Sequence, residues 1–241
     1  MSGIADRLRF QVPLYTVTEA ARLVDVPVST LSTWAQGYLR RFPDRRNVVG
    51  DPLITYLKPE GPRRPSVPFV GLTEATILAA VRRSGVPMQR VRPALQALAV
   101  GLGLEHPLAS RRLYTDGAEL LYDYAESHPD TEDGQAARQL VVVRSGQRVF
   151  REVIQEYLRR IEYAPDGYAK VIHVPAYKQA DVVVDPTRSF GAPIFERGGS
   201  RVDDVLQRFW VGESLGELAN EFGVPMNQLE DVLRVASRRA A

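Results

Sequence analysis

The stretch TVTEAARLVDVPVSTLSTW, residues 16–34, decides how the first part of this chain is expected to fold. Thr16 and Glu19 have the spacing of a capping box, in which each side chain accepts a hydrogen bond from the other residue's backbone N–H at the start of a helix. Apolar and small residues follow at helical spacing, and Asp25-Val26-Pro27 then interrupts the helix. The stretch therefore begins with one short, well-capped helix.

A second helix follows the interruption. Ser29 is a favoured residue for capping it, and Leu31 and Trp34 fall on its inner face. Two short helices with a tight turn between them, and small Ala21 where they cross, predict a helix-turn-helix. An ordinary helical pair within a protein core would leave a similar pattern.

The same pattern returns near the end of the chain, in SLGELANEFGVPMNQL, residues 214–229. Ser214 and Glu217 correspond to the capping box, and Ala219 corresponds to the small residue where the helices cross. Gly223 corresponds to the turn residue Asp25, and Leu229 corresponds to the inward-facing Leu31. A looser copy, GVPMQRV, occupies residues 85–91, with a helix before it that is expected to begin at Thr73. The spacing is irregular, so these are related helical corners rather than a solenoid.

Overall composition describes an ordinary globular protein, with 44% apolar and 25% charged residues. No apolar run approaches the length of a membrane span, and the first residues lack the apolar segment of a signal peptide. The absence of cysteine excludes disulfides and thiolate zinc sites and favours a cytoplasmic location.

Charge is distributed in blocks along the chain. Residues 1–112 carry an excess of basic residues, almost all arginine. Residues 113–137 carry seven carboxylates and no base, and residues 203–231 carry seven carboxylates and one arginine. Such asymmetry predicts that different parts of the chain meet different partners.

The first helix-turn-helix is suited to DNA, because no acid lies between residues 26 and 43 to oppose the phosphates. Leu53–Leu57 and Val67–Val70 predict the two strands of a wing with a basic tip. The candidate DNA-binding residues are Ser29, Thr30, Ser32, Thr33 and Gln36 on the second helix, and Arg40, Arg41, Lys58, Arg63 and Arg64 after it. A merely solvated surface is the alternative for the arginines.

The last copy has the opposite character. Its second helix carries Glu230 and Asp231, which makes DNA an unsuitable partner and a protein a suitable one.

Between the two units, LYTDGAELLYDYAESHPDTEDG predicts a short helix and a solvated loop, and QLVVVRSGQRVF predicts a hairpin that turns at Ser145-Gly146. REVIQEYLRRIEY predicts an amphipathic helix reaching Ile161 that packs on that hairpin, and YAKVIHVP and ADVVVDP predict further strands.

Nothing in the sequence indicates an enzyme. His106, His128 and His173 lie in separate segments without a partner at helical spacing, so a histidine metal site is not expected. Phosphate-binding and nucleophile motifs are absent from the sequence. Acid pairs such as Asp203-Asp204 are typical of a solvated surface or of a helix N-terminus. We therefore expect a non-enzymatic protein without a cofactor.

Residues 15–100 resemble the DNA-binding region of MerR-type winged-helix regulators. The resemblance rests on Thr16, Glu19 and Ala20-Ala21, on VPVSTLSTW, and on GLTEATILAAVRRSGVPMQRVRPAL after the wing. It implies a dimer on an inverted repeat, with a recognition helix from Ser29 to Tyr38 in the major groove and the basic residues on phosphate. Because the chain has no cysteine and no sustained heptad, metal or redox sensing is not implied.

Residues 181–236 are similar to a small domain found in antitoxins of the VapBC kind. The similarity rests on Asp185-Pro186, Phe190-Gly191-x-Pro193-Ile194, Gly212-Glu213-Ser214 and Phe222-Gly223-Val224, although ERGGSR stands where that family usually has a compact Gly-Thr-Arg. The two resemblances together imply an antitoxin that neutralises a PIN-domain ribonuclease and binds the promoter of its own operon. Candidate contacts to the toxin's metal-binding carboxylates are Arg197, Arg201, Arg238 and Arg239.

The expected architecture is α+β and mostly helical. It comprises a winged helix-turn-helix at residues 1–100, a small mixed region at 101–180 and a three-helix, helix-turn-helix-like domain at 181–241. Partners are operator DNA, the toxin and a second copy of the chain, with no membrane. Two alternatives remain open: a stand-alone MerR-like regulator or excisionase, and a structural interaction protein that does not bind DNA.

Overall fold

Helices occupy most of the chain and short strands lie between some of them, which confirms the α+β, mostly helical class. The computed structural model describes residues 2–41, 47–144 and 147–240. Within them the α-helices are α1 (Ser2–Phe10), α2 (Val17–Val24), α3 (Val28–Gln36), α4 (Phe69–Arg83), α5 (Met88–Leu102), α6 (Arg111–Ser127), α7 (Glu132–Leu140), α8 (Glu152–Arg159), α9 (Val202–Trp210), α10 (Leu215–Phe222) and α11 (Met226–Ala240). The strands are β1 (Pro13–Tyr15), β2 (Tyr38–Arg40), β3 (Val48–Gly50), β4 (Val67–Pro68), β5 (Val141–Arg144), β6 (Gln147–Phe150), β7 (Ile161–Tyr163), β8 (Ala169–His173), β9 (Val182–Val184) and β10 (Ile194–Phe195).

Both capping boxes predicted from the sequence are present. The Thr16 hydroxyl accepts from the Glu19 N–H at 3.2 Å, and the Glu19 carboxylate accepts from the Thr16 N–H at 2.8 Å. Ser214 and Glu217 make the same pair of bonds at 3.3 and 3.0 Å. The turns are alike too, since Asp25 ends α2 and Gly223 ends α10 in the left-handed conformation. The first and last copies are therefore both helix-turn-helix units with the same local chemistry.

Helix α4 forms the centre of the core. Every side chain from Phe69 to Val81 is buried, and the helix packs against α1, α2 and α8. The expected start at Thr73 is wrong: the helix begins four residues earlier, directly after the extended residue Pro68. Proline is readily placed at a helix start, and the apolar Phe69 and Val70 join the core instead of a strand.

A four-stranded antiparallel sheet, in the order β10-β9-β8-β7, lies beside these helices. The sheet runs across residue 180, so strands on the two sides of the expected domain boundary pair with each other. One continuous set of buried apolar residues extends from Tyr15 to Val235. The division into three domains stays a prediction.

The middle region is more helical than predicted. The acidic stretch forms the 17-residue helix α6 and then α7, where one short helix and a loop were expected. The β5–β6 hairpin is confirmed, although its turn at Ser145-Gly146 lies outside the described residues. Helix α8 packs against α4 and β7, and Ile161 belongs to β7 rather than to the helix. In the part of the chain that the structure describes, no helix is long and apolar enough to span a bilayer.

Candidate nucleic-acid interface

Small and apolar residues fix α3 against α2. Ala21 is buried where the helices cross, and its carbonyl accepts from the Val26 N–H at 3.0 Å. Leu31 and Trp34 point into the core. The expectation that Ser29 caps α3 is wrong, because Pro27 occupies the N-cap and makes no side-chain cap bond. The Ser29 side chain instead lies exposed on the second residue of the helix.

The outer face of α3 is polar and carries no acid. Ser29 and Gln36 are exposed, and Thr30, Ser32 and Thr33 are half-buried. The Thr33 hydroxyl donates to the Ser29 carbonyl at 2.8 Å, as threonines inside helices often do. Donor and acceptor groups on an exposed helix are the chemistry that reads base edges in a major groove.

A short hairpin follows α3 directly. Strand β2 pairs with β3 in antiparallel register, with Leu39 opposite Val49. Gly37 makes the sharp turn out of α3 at φ 71°, where a Cβ would overlap the carbonyl oxygen of Gly50. Arg41 is exposed at the end of β2. The Arg40 side chain and residues 42–46, including Arg45 and Arg46, lie outside the described residues.

The predicted wing strands are wrong. Leu53–Leu57 forms no strand; Val67–Pro68 is a strand but pairs with β1, and Val70 belongs to α4. Residues 51–66 form an irregular loop closed by the Leu57 N–H, which donates to the Ser66 carbonyl at 2.8 Å. The positions expected at the basic tip lie exposed on this loop: Lys58, Arg63 and Arg64. Alternating hydrophobicity therefore marked a basic loop rather than a hairpin.

This loop is attached to the end of α3 and to the core. The Leu53 N–H donates to the Trp34 carbonyl at 2.7 Å, and the Gln36 amide donates to the Tyr56 hydroxyl at 3.3 Å. On the inner side, the buried Glu74 carboxylate accepts from the Thr55 N–H at 2.5 Å. The structure thus brings α3 and the root of the basic loop together.

Two arginines near α3 were missed by the sequence reasoning. Arg82, at the end of α4, donates to the Thr30 hydroxyl at 3.3 Å. Arg92, on α5, donates to the Asp51 carbonyl, and its guanidinium lies 5.7 Å from the centre of the Tyr38 ring. Only tertiary packing brings α4 and α5 to the first helix-turn-helix. The positive charge of residues 71–112 was the one signal that could have indicated them.

Arg83 neutralises an acid that lies beside α3. Its guanidinium pairs with the Asp25 carboxylate at the turn between α2 and α3. Asp25 itself adopts the left-handed conformation at φ 55°, which Asp tolerates better than most residues. The turn can therefore lie near phosphate without presenting an uncompensated negative charge.

The equivalent face of the third copy is partly covered. In the ungapped alignment of the two units, Asp231 of α11 takes the place of Thr33. Its buried carboxylate accepts from the backbone N–H groups of residues 178, 179 and 180 at 2.7, 2.8 and 3.1 Å. Burial acts against the charged form, but these three bonds outweigh it and lower the pKa of Asp231. The loop before β9 thus covers the Asp231 side of this face, while Asn227, which aligns with Ser29, stays exposed.

The arginines proposed for toxin contact lie on two separate elements. Arg197 is exposed in the turn after β10, and Arg201 is the exposed N-cap of α9. Arg238 is exposed near the end of α11, and the Arg239 side chain lies outside the described residues. The structure gives no contact that joins the two pairs, so their role remains a prediction.

His106 and His173 lie beside carboxylates, whereas His128 Nδ1 lies 3.0 Å from the Tyr124 carbonyl. His106 Nδ1 lies 3.3 Å from Glu74, and His173 lies 2.8 Å from Asp181 and 3.1 Å from Glu162. Burial acts to lower both histidine pKa values, but the carboxylates outweigh it and raise them. Across residues 2–41, 47–144 and 147–240, no group of three metal-ligating side chains is arranged to hold an ion.

Known proteins share this architecture. A family model described as "Putative DNA-binding HTH domain" matches residues 13–95, the part that contains α2, α3 and the hairpin. The chain is also 47% identical over 227 residues to the Mycobacterium tuberculosis protein "Putative antitoxin VapB45", covering 94% of this chain and 95% of that protein. This chain belongs to the VapB-type antitoxin family.

Two further matches from Mycobacterium tuberculosis extend over nearly the whole length of this VapB-type chain. The X-ray crystal structure of Rv2018 superposes with a TM-score of 0.83 at 44% identity, covering 94% of this chain and 99% of that one. "Uncharacterized protein Rv2308" is 29% identical over 230 residues, covering 91% of this chain and 88% of that protein. The prediction of a VapB-type antitoxin with a DNA-binding helix-turn-helix is confirmed.

Proposed function

We propose that this chain is the antitoxin of a type II toxin–antitoxin pair. Its first helix-turn-helix binds the promoter of its own operon as a homodimer, and its C-terminal part binds and silences a PIN-domain ribonuclease. The observation that carries the DNA half is the exposed, acid-free face of α3 beside Arg82 and the basic loop. Family membership supports the toxin half. The function needs no cofactor and no catalysis by the chain itself, and we expect it in the cytoplasm.

In this proposal α3 enters the major groove and the basic side chains around it contact phosphate. The described cations available for this are Arg41, Lys58, Arg63, Arg64 and Arg82. If all of them contact phosphate, the logarithm of the DNA-binding constant falls against the logarithm of salt with a slope of about −4.5 per protomer. A homodimer doubles that slope to about −9, so the salt series also tests the oligomeric state on DNA.

Matched variants in the first and third copies separate the two helix-turn-helix units. Ser29→Glu places a negative charge on the open face of α3, and Asn227→Glu places the same charge at the aligned, exposed position of α11. We expect Ser29→Glu to abolish binding to the promoter fragment and Asn227→Glu to leave it within twofold. Equal loss in both variants, or no salt dependence in the wild type, would exclude DNA reading by α3.

The toxin half is tested by co-expression with the product of the neighbouring gene. We expect a stoichiometric complex in which the ribonuclease activity of the partner is suppressed. If the antitoxin's arginines pair with metal-binding carboxylates, charge reversal at Arg197, Arg201, Arg238 and Arg239 together relieves the inhibition. Promoter binding without any partner would instead make the protein a stand-alone regulator.

A further inference from the structure

Three large apolar side chains are exposed on the C-terminal helical unit. Trp210 ends α9 and is 60% exposed, and Val211 follows it and is 80% exposed. Met226 begins α11 and is 48% exposed, and its methyl group lies 4.0 Å from where a Cβ on Gly216 would be, in the first turn of α10. The start of α11 therefore lies beside the first turn of α10, which begins four residues after Val211. Trp210, Val211 and Met226 are called the α9–α10 patch below.

The backbone of this corner is fixed. The Val211 N–H donates to the Gln207 carbonyl at 3.1 Å, and the Gly212 N–H donates to the Phe209 carbonyl at 3.0 Å. The Trp210 ring meets the Phe209 ring edge-on, with 5.3 Å between centroids. An ordered, exposed aromatic side chain loses little conformational entropy when it enters a partner's pocket, which is typical of an interface hot spot.

The surroundings of the patch are strongly acidic. Residues 203–230 contain six carboxylates and a single basic residue, Arg208. Arg208 is already engaged, because it pairs with both Glu213 and Glu221 and its guanidinium lies 5.1 Å from the centre of the Phe222 ring. Five negative charges therefore remain uncompensated on α9, α10 and the start of α11.

We infer that the α9–α10 patch is the docking surface for the partner protein, and that the partner presents an apolar pocket bordered by lysine and arginine. This inference rests on the proposed function, since it names where the toxin binds. DNA does not fit, because its phosphates would face uncompensated carboxylates. A second copy does not fit either, since a twofold contact would place two acidic surfaces against each other.

The patch adds apolar contact area that the arginine candidates lack. Arg197, Arg201 and Arg238 are exposed cations on other positions, and exposed charges chiefly affect association rate and specificity. A buried aromatic anchor chiefly sets the dissociation rate. The strength of the complex therefore depends on Trp210 and Val211 more than on any single arginine.

The test measures affinity between the full-length chain and the purified ribonuclease from the neighbouring gene. We expect the double variant Trp210→Glu/Val211→Glu to weaken the complex about 30-fold or more, the effect of losing a hot spot. The matched control is Val100→Glu on α5, because Val100 is as exposed as Val211, at 82%. The control should bind the ribonuclease like the wild type, and all variants should bind the promoter fragment unchanged.

The outcomes distinguish this inference from the proposed function. If the wild type binds the ribonuclease and the double variant binds equally well, the docking surface is wrong while the antitoxin function stands. If the wild type binds no ribonuclease, the proposed function fails and the inference with it. A double variant that only changes the oligomeric state of the chain assigns the patch to a second copy and overturns the inference. Trp210→Ala, with a thermal melt, guards against a folding defect in the double variant.

Discussion

Replacing Asp231 by alanine should destabilise the C-terminal part of the protein far more than removing the adjacent, exposed carboxylate of Glu230. The Asp231 carboxylate is 3% exposed and accepts three backbone N–H groups from the loop before β9. Hydrogen bonds to a charged group contribute about 1.5–3 kcal/mol each. Residues 178 and 179 are exposed, so water can replace the carboxylate at their N–H groups, whereas Ala180 is buried.

The expected loss in unfolding free energy is therefore about 2–4 kcal/mol, which is one full charge-assisted bond plus part of two others. Asp231→Asn keeps an acceptor of the same shape but loses the charge, and should lose about 1 kcal/mol. Equilibrium urea unfolding at pH 7, followed by circular dichroism, measures both. Glu230→Ala is the matched control, because Glu230 is adjacent but exposed, and its change should stay within about 0.5 kcal/mol.

The same contact has a defined pH dependence. The folded pKa of Asp231 is lowered, so its stabilising effect is fully present above the unfolded pKa of about 3.9 and is lost as pH falls through the folded pKa. The difference in stability between wild type and Asp231→Asn should stay constant from pH 7 to pH 5 and shrink below pH 4. A loss under about 1 kcal/mol for Asp231→Ala, or an equal loss for Glu230→Ala, would refute the reasoning.

Three further outcomes follow from single contacts. Gly37→Ala should lower stability by about 2–4 kcal/mol, because it combines a strained positive φ with a clash against a backbone carbonyl; Gly85→Ala, with positive φ but open space, should cost clearly less in the same urea titration. Tyr15→Phe should cost about 1 kcal/mol in that assay, because it removes a buried hydroxyl that donates to the Gly191 carbonyl at 2.9 Å; no change would mean that this bond is neutral. The pKa of His106 is raised by Glu74 against the effect of burial, so the stabilising effect is present below pH 6.5 and is lost as pH rises through the folded pKa. The wild type should therefore melt at a higher temperature than His106→Gln at pH 6.5, and this difference in melting temperature should decrease towards pH 8. A difference that does not change with pH would count against the ion pair.

Local chemistry made the helix-turn-helix units predictable. A capping box joins residues three apart, so Thr16–Glu19 and Ser214–Glu217 could be recognised without any knowledge of the rest of the fold. The left-handed turn at Asp25 is likewise a property of a few consecutive residues. Elements whose geometry is set within one turn of helix are the ones that a sequence pattern specifies.

Long-range contacts made the wing unpredictable. Leu53–Leu57 alternates like a strand, but the N–H groups of Leu53 and Thr55 bond to the Trp34 carbonyl and the Glu74 carboxylate instead of to a neighbouring strand. Strand pairing depends on which backbone lies alongside, and no spacing within the segment records that. The position of Arg82 beside α3 could not be predicted for the same reason, since Arg82 reaches Thr30 only because α4 packs against α2.

The three related corners differ in what the outer face of their second helix contacts. In the second copy, Arg90 of α5 takes the place of Thr30 and pairs with Glu132 of α7 at 3.2 Å. In the third copy, Asp231 holds the loop before β9 against α11. In the first copy the aligned side chains, Thr30 and Thr33, are half-buried, and the Thr30 hydroxyl accepts from Arg82 at 3.3 Å. A repeated backbone thus meets different neighbours in each copy, and the neighbours that contact the outer face limit what the helix can bind.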